Sequence, residues 1–159
     1  TIGPLIDSNA AEDVKSLIED AKIKGARVEL GGDSCDLGDN FINPTILSNI
    51  NTSMRVFNEE IFGPVAPIIK FETENEAIEL ANQTDFGLAA YFYSRDIGRV
   101  YRVSEKLEFG IIGVNEGIIS NEMAPFGGIK ESGNGREGSK YGLDDYLEIK
   151  YVCVGGINE

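Results

Sequence analysis

Residues 88–115 read LAAYFYSRDIGRVYRVSEKLEFGIIGVN and predict a strand, a helix and a second strand. Residues 88–93 and 111–115 are apolar and of strand length, and Gly110 leads into the second of them. Asp96 is placed to cap the helix between them. The residues that recur there at helical spacing are Ile97, Val100, Ser104 and Leu107. This is the repeating unit of an α/β fold.

The preceding segment supplies a further strand and helix. Residues 65–71 form an apolar run, and Thr73 with Glu76 makes a capping box that opens the next helix. The whole pattern is βαβαβ, which predicts an α/β fold with a parallel sheet covered by helices and ligands beyond the carboxyl ends of the strands. Pro67 cannot donate to a sheet ladder, so we expect a bulge or an edge position there.

The first thirty residues predict a helix followed by a short strand. Ser8 or Asn9 opens the helix, and Glu12 completes a capping box with Asn9. Gly25 ends the helix, and residues 27–30 follow as a candidate strand.

Length and composition indicate one folded unit with an acidic surface. The chain has 159 residues, of which 42% are hydrophobic, and its 27 acidic and 14 basic residues give a net charge of -13. Such a surface argues against nucleic acid and anionic lipid as partners. No apolar run approaches the ~20 residues of a membrane helix, and the first residues do not resemble a signal peptide. The sequence therefore predicts a cytoplasmic protein.

The cysteines do not form a recognisable metal or nucleophile motif. Cys35 and Cys153 stand far apart, and the chain contains no histidine. This excludes the standard zinc spacings and a histidine base, so we predict no metal site. Cys35 lies in a polar loop without a neighbouring cation or base, which indicates an incidental thiol.

Residues 133–138, GNGREG, match the G-x-G-x-x-G pattern of dinucleotide sites. No apolar strand leads into them, and Cys153 stands where an acidic ribose ligand is expected about twenty residues later. The context favours close packing of glycine backbone over a phosphate cradle. A nucleotide-binding domain that uses this segment remains a further hypothesis.

Two other stretches are better candidates for ligand contacts. Residues 59–64, EEIFGP, place a carboxylate next to an aromatic side chain, the combination needed to bond a ribose while a flat ring packs alongside. Residues 117–126 follow the carboxyl end of the third predicted strand, which is the expected ligand side of the sheet.

Several of these stretches resemble, in order and spacing, the C-terminal part of the aldehyde dehydrogenase superfamily. They are residues 59–64, 86–88, 125–128, 132–133 and 135–137. Residues 117–120, 138–142 and 145–151 are similar to its succinate-semialdehyde dehydrogenase branch. The likeness covers essentially the whole chain.

The resemblance implies a part of an NAD(P)-dependent enzyme that oxidises succinate semialdehyde to succinate. In that family a cysteine thiolate attacks the aldehyde, hydride passes to the nicotinamide, and a glutamate-activated water releases the acid. The resemblance places that cysteine, that glutamate and most of the nucleotide site upstream of residue 1. We therefore expect no catalytic residue here, an inactive chain, and no tight binding of NAD or NADP.

Four residues carry roles over from the family. Glu60 matches the glutamate that bonds the nicotinamide ribose, and Phe62 matches the aromatic beside that site. Phe126 matches the aromatic that lines the substrate tunnel. Ser120 matches the serine that holds the distal carboxylate together with upstream arginines, although a loop serine bonded to local backbone is the alternative.

The resemblance also predicts the domain organisation. Residues 1–146 correspond to the C-terminal part of the catalytic domain, and residues 147–159 to a terminal oligomerisation strand and tail. In the family, residues 147–154 would join the sheet of a neighbouring subunit, so we expect a homo-oligomer. The alternative hypothesis is a non-catalytic assembly module that associates through this strand.

Overall fold

The computed structural model describes residues 2–33 and 35–157 and divides the chain into two compact units. The first unit spans residues 1–72 and the second residues 73–159. The sequence pattern did not indicate a boundary at this point. The predicted division between residues 146 and 147 stays a prediction.

The first unit contains two helices and three strands. They are α1 (Ser8–Ile23), β1 (Arg27–Leu30), β2 (Thr45–Ser48), α2 (Arg55–Asn58) and β3 (Val65–Pro67). The strands form one sheet in the order β1-β2-β3. β1 and β2 are antiparallel, whereas β2 and β3 are parallel.

Helix α1 begins and ends at local polar signals. The Asp7 carboxylate accepts a hydrogen bond of 2.8 Å from the Ala10 N–H and is the N-cap. The predicted capping box of Asn9 and Glu12 is therefore wrong, because the cap lies two residues earlier. Gly25, with φ of +98°, follows the last turn as expected and takes a conformation that other residues rarely adopt.

The core of the first unit forms between the apolar face of α1 and the segments after it. The buried residues of α1 are Ala11, Val14, Leu17, Ile18 and Ala21, and those packed against them are Ile42, Leu47, Ile50, Met54 and Val56. Leu47 on β2 and Met54 before α2 are completely buried. Burial of such side chains is worth about 1.5–3 kcal/mol each, so this contact stabilises the unit.

Strand β3 is shorter than predicted and lies in a different sheet. It ends at Pro67 and pairs with β2, so the predicted continuous βαβαβ sheet that began with this strand is wrong. Among the described strands, β3 is at the edge of its sheet, which confirms the edge position expected from Pro67.

The second unit contains short strands and three helical segments. They are α3 (Glu74–Asn82), β4 (Phe86–Gly87), β5 (Ala89–Phe92), α4 (Ile97–Lys106), β6 (Ile111–Val114), β7 (Ile129–Lys130) and a 3₁₀ helix (Tyr141–Tyr146). β5 and β6 pair in parallel across α4, so this predicted repeat is confirmed. β4 and β7 form a separate antiparallel pair.

The helices of the second unit begin at the predicted caps. The Thr73 hydroxyl accepts a hydrogen bond from the Glu76 N–H at 3.1 Å, and the Asp96 carboxylate accepts one from the Arg99 N–H at 3.1 Å. Both caps satisfy N–H groups that the helix itself leaves unpaired.

The terminal strand was predicted to pair with a neighbouring subunit and stays a prediction, because residues 147–154 pair with nothing within the described part of this chain. Residues 147–154 are exposed and belong to no sheet. A strand exists through backbone hydrogen bonds to a neighbour, and within residues 2–33 and 35–157 no such neighbour pairs with this segment. It has a strand-like sequence without a partner.

An ion pair of Glu74 with two arginines joins α3 to α4. Arg102 and Arg99 donate to the Glu74 carboxylate at 3.1 and 2.9 Å, and their hydrogen bonds, that of Arg102 foremost, lower its pKa from 4.5 to about 2. The depressed pKa stabilises the folded chain above pH 4.5, and this stabilisation is lost as the pH falls towards 2.

We expect Glu74→Gln to lower the melting temperature at pH 7 and to have little effect near pH 2. Thermal unfolding followed by circular dichroism between these pH values measures the difference. The control is Glu105→Gln, which changes the same chemical group at an exposed position of α4. An equal loss for both variants at every pH would contradict the role of the ion pair.

Candidate cofactor and substrate sites

Residues 59–64 follow α2 and contain two carboxylates, Glu59 and Glu60. One of them, Glu59, is already paired. Arg55 donates to Glu59 twice, from Nε at 2.6 Å and from Nη2 at 2.8 Å. These bonds lower the pKa of the Glu59 carboxyl below its ordinary value. The charge of Glu59 is thus paired with Arg55 of the same chain, and Glu59 is not the carboxylate offered to a ligand.

Glu60 and Phe62 project from the same segment into solvent. Ile61 between them packs against the core of the first unit, so its neighbours on either side face outward. The Phe62 ring is 79% exposed. Glu60 is exposed and makes no side-chain hydrogen bond or ion pair to any residue that the structure describes. A free carboxylate and a free ring therefore stand two residues apart.

Gly63 fixes the position of this segment on α1. A Cβ atom at Gly63 would lie 2.6 Å from Cγ2 of Val14, which is too close for any side chain without movement. Ile61 on the core and Gly63 on α1 together hold Glu60 and Phe62 at the surface.

The loop after β6 starts from a fixed point at the carboxyl end of the parallel pair. Asn115, with φ of +57°, accepts a hydrogen bond from the Ser94 N–H at 2.8 Å and donates to the Ser94 carbonyl at 2.7 Å. These two bonds join the residues that follow β5 and β6. Ser120 is exposed five residues further along, in the loop that follows the carboxyl end of β6.

Phe126 is held by backbone contacts to the glycine-rich segment. It exchanges two hydrogen bonds with Glu137, from the Phe126 N–H at 2.9 Å and from the Glu137 N–H at 2.6 Å. Its half-buried side chain lines a cleft of about 740 Å³ together with Leu88 and Tyr146. The second unit thus contains both predicted substrate residues, Ser120 on an open loop and Phe126 at a cleft.

The glycines of residues 133–138 allow close packing, as the sequence context indicated. A Cβ at Gly127 would collide with the Gly135 carbonyl, and one at Gly135 would collide with Asp145. Arg136 donates from Nη1 to the Gly128 carbonyl at 2.7 Å and so ties the two glycine-rich stretches together. A turn and a 3₁₀ helix follow the motif instead of the α-helix that a phosphate cradle requires.

The four predicted site residues fall into two pairs. Glu60 and Phe62 lie in the first unit, and Ser120 and Phe126 lie in the second. Sequence analysis missed Arg55, although an arginine four residues before a glutamate is a recognisable helical ion pair.

Cys35 is half-buried in its loop and Cys153 is exposed, and both thiols are free. In the residues that the structure describes, no helix has the length and apolarity to cross a membrane, and no group of three histidine, cysteine, aspartate or glutamate side chains could hold a metal ion.

The profile of the aldehyde dehydrogenase family matches residues 1–152. This chain belongs to the aldehyde dehydrogenase family. It is 60% identical over 158 residues to 3-sulfolactaldehyde dehydrogenase of Pseudomonas putida, which covers 99% of the chain and 32% of the relative. It is also 60% identical over 155 residues to the succinate-semialdehyde dehydrogenase [NADP(+)] GabD of Escherichia coli strain K12, covering 98% of the chain and 32% of the relative.

A solved crystal structure has the same fold as this chain. The crystal structure of an NADP-dependent enzyme of E. coli superposes with a TM-score of 0.94 at 60% identity, over 98% of this chain and 32% of that one. The chain therefore spans about a third of the length of the aldehyde dehydrogenase relatives that it matches.

We expect Gly63→Ala to destabilise the first unit by about 1–3 kcal/mol, because the added methyl group overpacks against Val14. Urea unfolding measures the change. The control is Gly3→Ala, where a Cβ meets nothing within 4 Å. A loss at Gly63 no larger than that at Gly3 would show that the segment is not held closely on α1.

Proposed function

We propose that this chain is the C-terminal part of an NAD(P)-dependent dehydrogenase that oxidises succinate semialdehyde to succinate. The observation that carries the proposal is the segment at residues 59–64, in which Glu59 is paired with Arg55 of α2 while Glu60 and Phe62 are left free for a ligand. The order and spacing of the motifs support the C-terminal position within the longer protein.

The surface of the second unit supports its origin in a longer protein. Of its described large apolar side chains, Ile78 and Val103 are buried. Those left exposed include Leu88, Tyr91, Tyr93, Ile97, Tyr101, Ile118, Met123, Tyr141, Leu143 and Tyr146. A unit that buries so few of its large apolar side chains is consistent with a protein in which further chain covers some of them.

Glu60 and Phe62 fit a nicotinamide cofactor. The exposed Glu60 carboxylate can accept hydrogen bonds from the two ribose hydroxyls, and the exposed Phe62 ring offers a flat apolar surface beside it. The bound cofactor supplies the hydride acceptor for the oxidation. The contribution of this chain is to orient the nicotinamide ring of the cofactor. A fixed orientation raises the rate because it holds the reacting atoms in place.

Ser120 and Phe126 fit a small aldehyde with an anionic far end. The two relatives are named for succinate semialdehyde and 3-sulfolactaldehyde, and both aldehydes carry a second, negatively charged group. An exposed hydroxyl at Ser120 can donate to that group, and Phe126 provides apolar contact for the carbon chain. We infer that other parts of the protein supply the cations that complete the anion site.

The thiol nucleophile and the general base are proposed to lie in the remainder of the protein. Among the residues that the structure describes, no contact that would activate Cys35 or Cys153 is found: Cys35 sits half-buried in a glycine-rich loop, and Cys153 lies in the exposed terminal segment. We therefore propose that this chain alone neither oxidises aldehydes nor binds NAD or NADP tightly.

The test is a comparison of the full-length protein with these 159 residues. Each is assayed with succinate semialdehyde and NAD or NADP by the absorbance of the reduced cofactor. We expect activity from the full-length protein and none from the chain. A full-length protein without aldehyde oxidation overturns the proposal, and an active chain overturns the assignment of the chemistry to other segments.

We expect Ser120→Ala in the full-length protein to lower kcat/KM for succinate semialdehyde about 10- to 100-fold, because a hydrogen bond to a charged group is worth about 1.5–3 kcal/mol. Butanal, which lacks the distal carboxylate, is the matched substrate and should react at an unchanged rate. Equal losses with both aldehydes would contradict carboxylate recognition by Ser120.

A second candidate function, assembly through the terminal segment, rests on the exposure of residues 147–157. The large apolar side chains exposed there are Leu147, Ile149, Tyr151, Val152, Val154 and Ile157. An unpaired extended segment of this composition can add to the edge of a sheet in another subunit. We propose that it associates copies of the protein into a homo-oligomer.

We expect Ile149→Lys to weaken self-association, because it places a charge on a fully exposed apolar position of this segment. Sedimentation velocity over a range of protein concentrations measures the effect. The control is Leu37→Lys, the same kind of change at a side chain that is 73% exposed in the first unit. Equal behaviour of the two variants would rule out the segment as the association surface.

A further inference from the structure

Arg55 contacts three residues in two parts of the first unit, helix α1 and the segment that follows α2. Its guanidinium holds both oxygens of Glu59, as described above, and its Nη1 donates to the Ser16 hydroxyl at 3.1 Å. Its backbone N–H donates to the Asp20 carboxylate at 2.9 Å. Ser16 and Asp20 are one turn apart on α1, so Arg55 links that helix to the residue directly before Glu60.

The backbone at this point is also fixed from within α2. Glu59 is the C-cap of this single turn, and its N–H donates to the Arg55 carbonyl at 2.8 Å. Arg55 therefore bonds Glu59 through both backbone and side chain. Because Glu60 is the next residue, the direction in which it leaves the turn depends on these bonds.

The charge of Arg55 separates the roles of two adjacent carboxylates. Glu59 and Glu60 would otherwise be neighbouring negative groups that compete for the same hydroxyl donors and repel each other. A bidentate contact with arginine pairs the charge of Glu59 and occupies one acceptor position on each of its oxygens. Glu60 is then the carboxylate of the two that has no partner among the described residues.

We propose that Arg55 is a positioning residue, which acts through Glu59 to hold Glu60 in place for the ribose of the cofactor. This inference rests on the proposed cofactor role of Glu60. In this proposal α2, a single helical turn outside the predicted site, helps to orient the hydride acceptor.

The test is a double-mutant cycle in the full-length protein, with the rate of cofactor reduction in a single turnover as the readout. We expect Arg55→Ala to lower this rate about tenfold, since a small misplacement of reacting groups is costly, and to leave KM for the aldehyde nearly unchanged. Arg55→Lys should recover part of the rate. In a Glu60→Gln background, Arg55→Ala should have no further effect.

Two further variants separate positioning from a structural role. Glu59→Ala removes the same contact while Arg55 and its bond to α1 remain, and it should lower the rate in the same direction. Arg99→Ala, which breaks a comparable arginine–glutamate pair in the second unit, should leave the rate unchanged. Melting temperatures of all variants show which losses follow from unfolding.

The outcomes distinguish this inference from the proposed function. If Arg55→Ala lowers the rate by the same factor with Glu60 and with Gln at position 60, Arg55 does not act through Glu60 and the inference is overturned. If Glu60→Gln itself leaves the rate unchanged, the cofactor role of Glu60 fails and the inference fails with it.

Discussion

Burial of the apolar face of α1 against Leu47 and Met54 is the contact on which the first unit depends. Both side chains are completely buried, and truncation of such residues generally costs about 2–5 kcal/mol. The same packing fixes the chain beyond α2, because Ile61 rests on this core and Gly63 touches α1 directly. The surface position of Glu60 follows from the core beneath it.

The second unit is held together in a different way. It buries few large apolar side chains and relies on polar bonds between its elements. Asn82 at the end of α3 donates to the Lys106 carbonyl and accepts from the Glu108 N–H, and Lys130 donates to the Asn82 carbonyl. Such bonds each add little net stability in water. Such a unit becomes more stable when further protein surface covers its apolar side chains.

The sequence motifs identified the candidate site residues but did not explain which of two adjacent carboxylates is available to a ligand. Glu60, Phe62, Ser120 and Phe126 were identified from a resemblance in sequence, and the first three lie exposed in the structure. The resemblance gave no reason for Glu60, and not Glu59, to be available. That reason is the bidentate contact from Arg55, which becomes visible once helical geometry brings position 55 next to position 59.

The sequence by itself determined the features that depend on near neighbours. The caps at Thr73 and Asp96, the turn at Gly25 and the parallel pairing of β5 with β6 across α4 were all predicted correctly. Each depends on hydrogen bonds or connections within a short stretch, so residue type and spacing are sufficient.

Tertiary structure alone decided which sheet contains β3. The hydrogen bonds between strands join backbone atoms that all residues share. Packing between distant segments therefore determines which strands pair. The pairing of β3 with β2 follows from the core of the first unit, and the terminal segment has no such neighbour in the described chain.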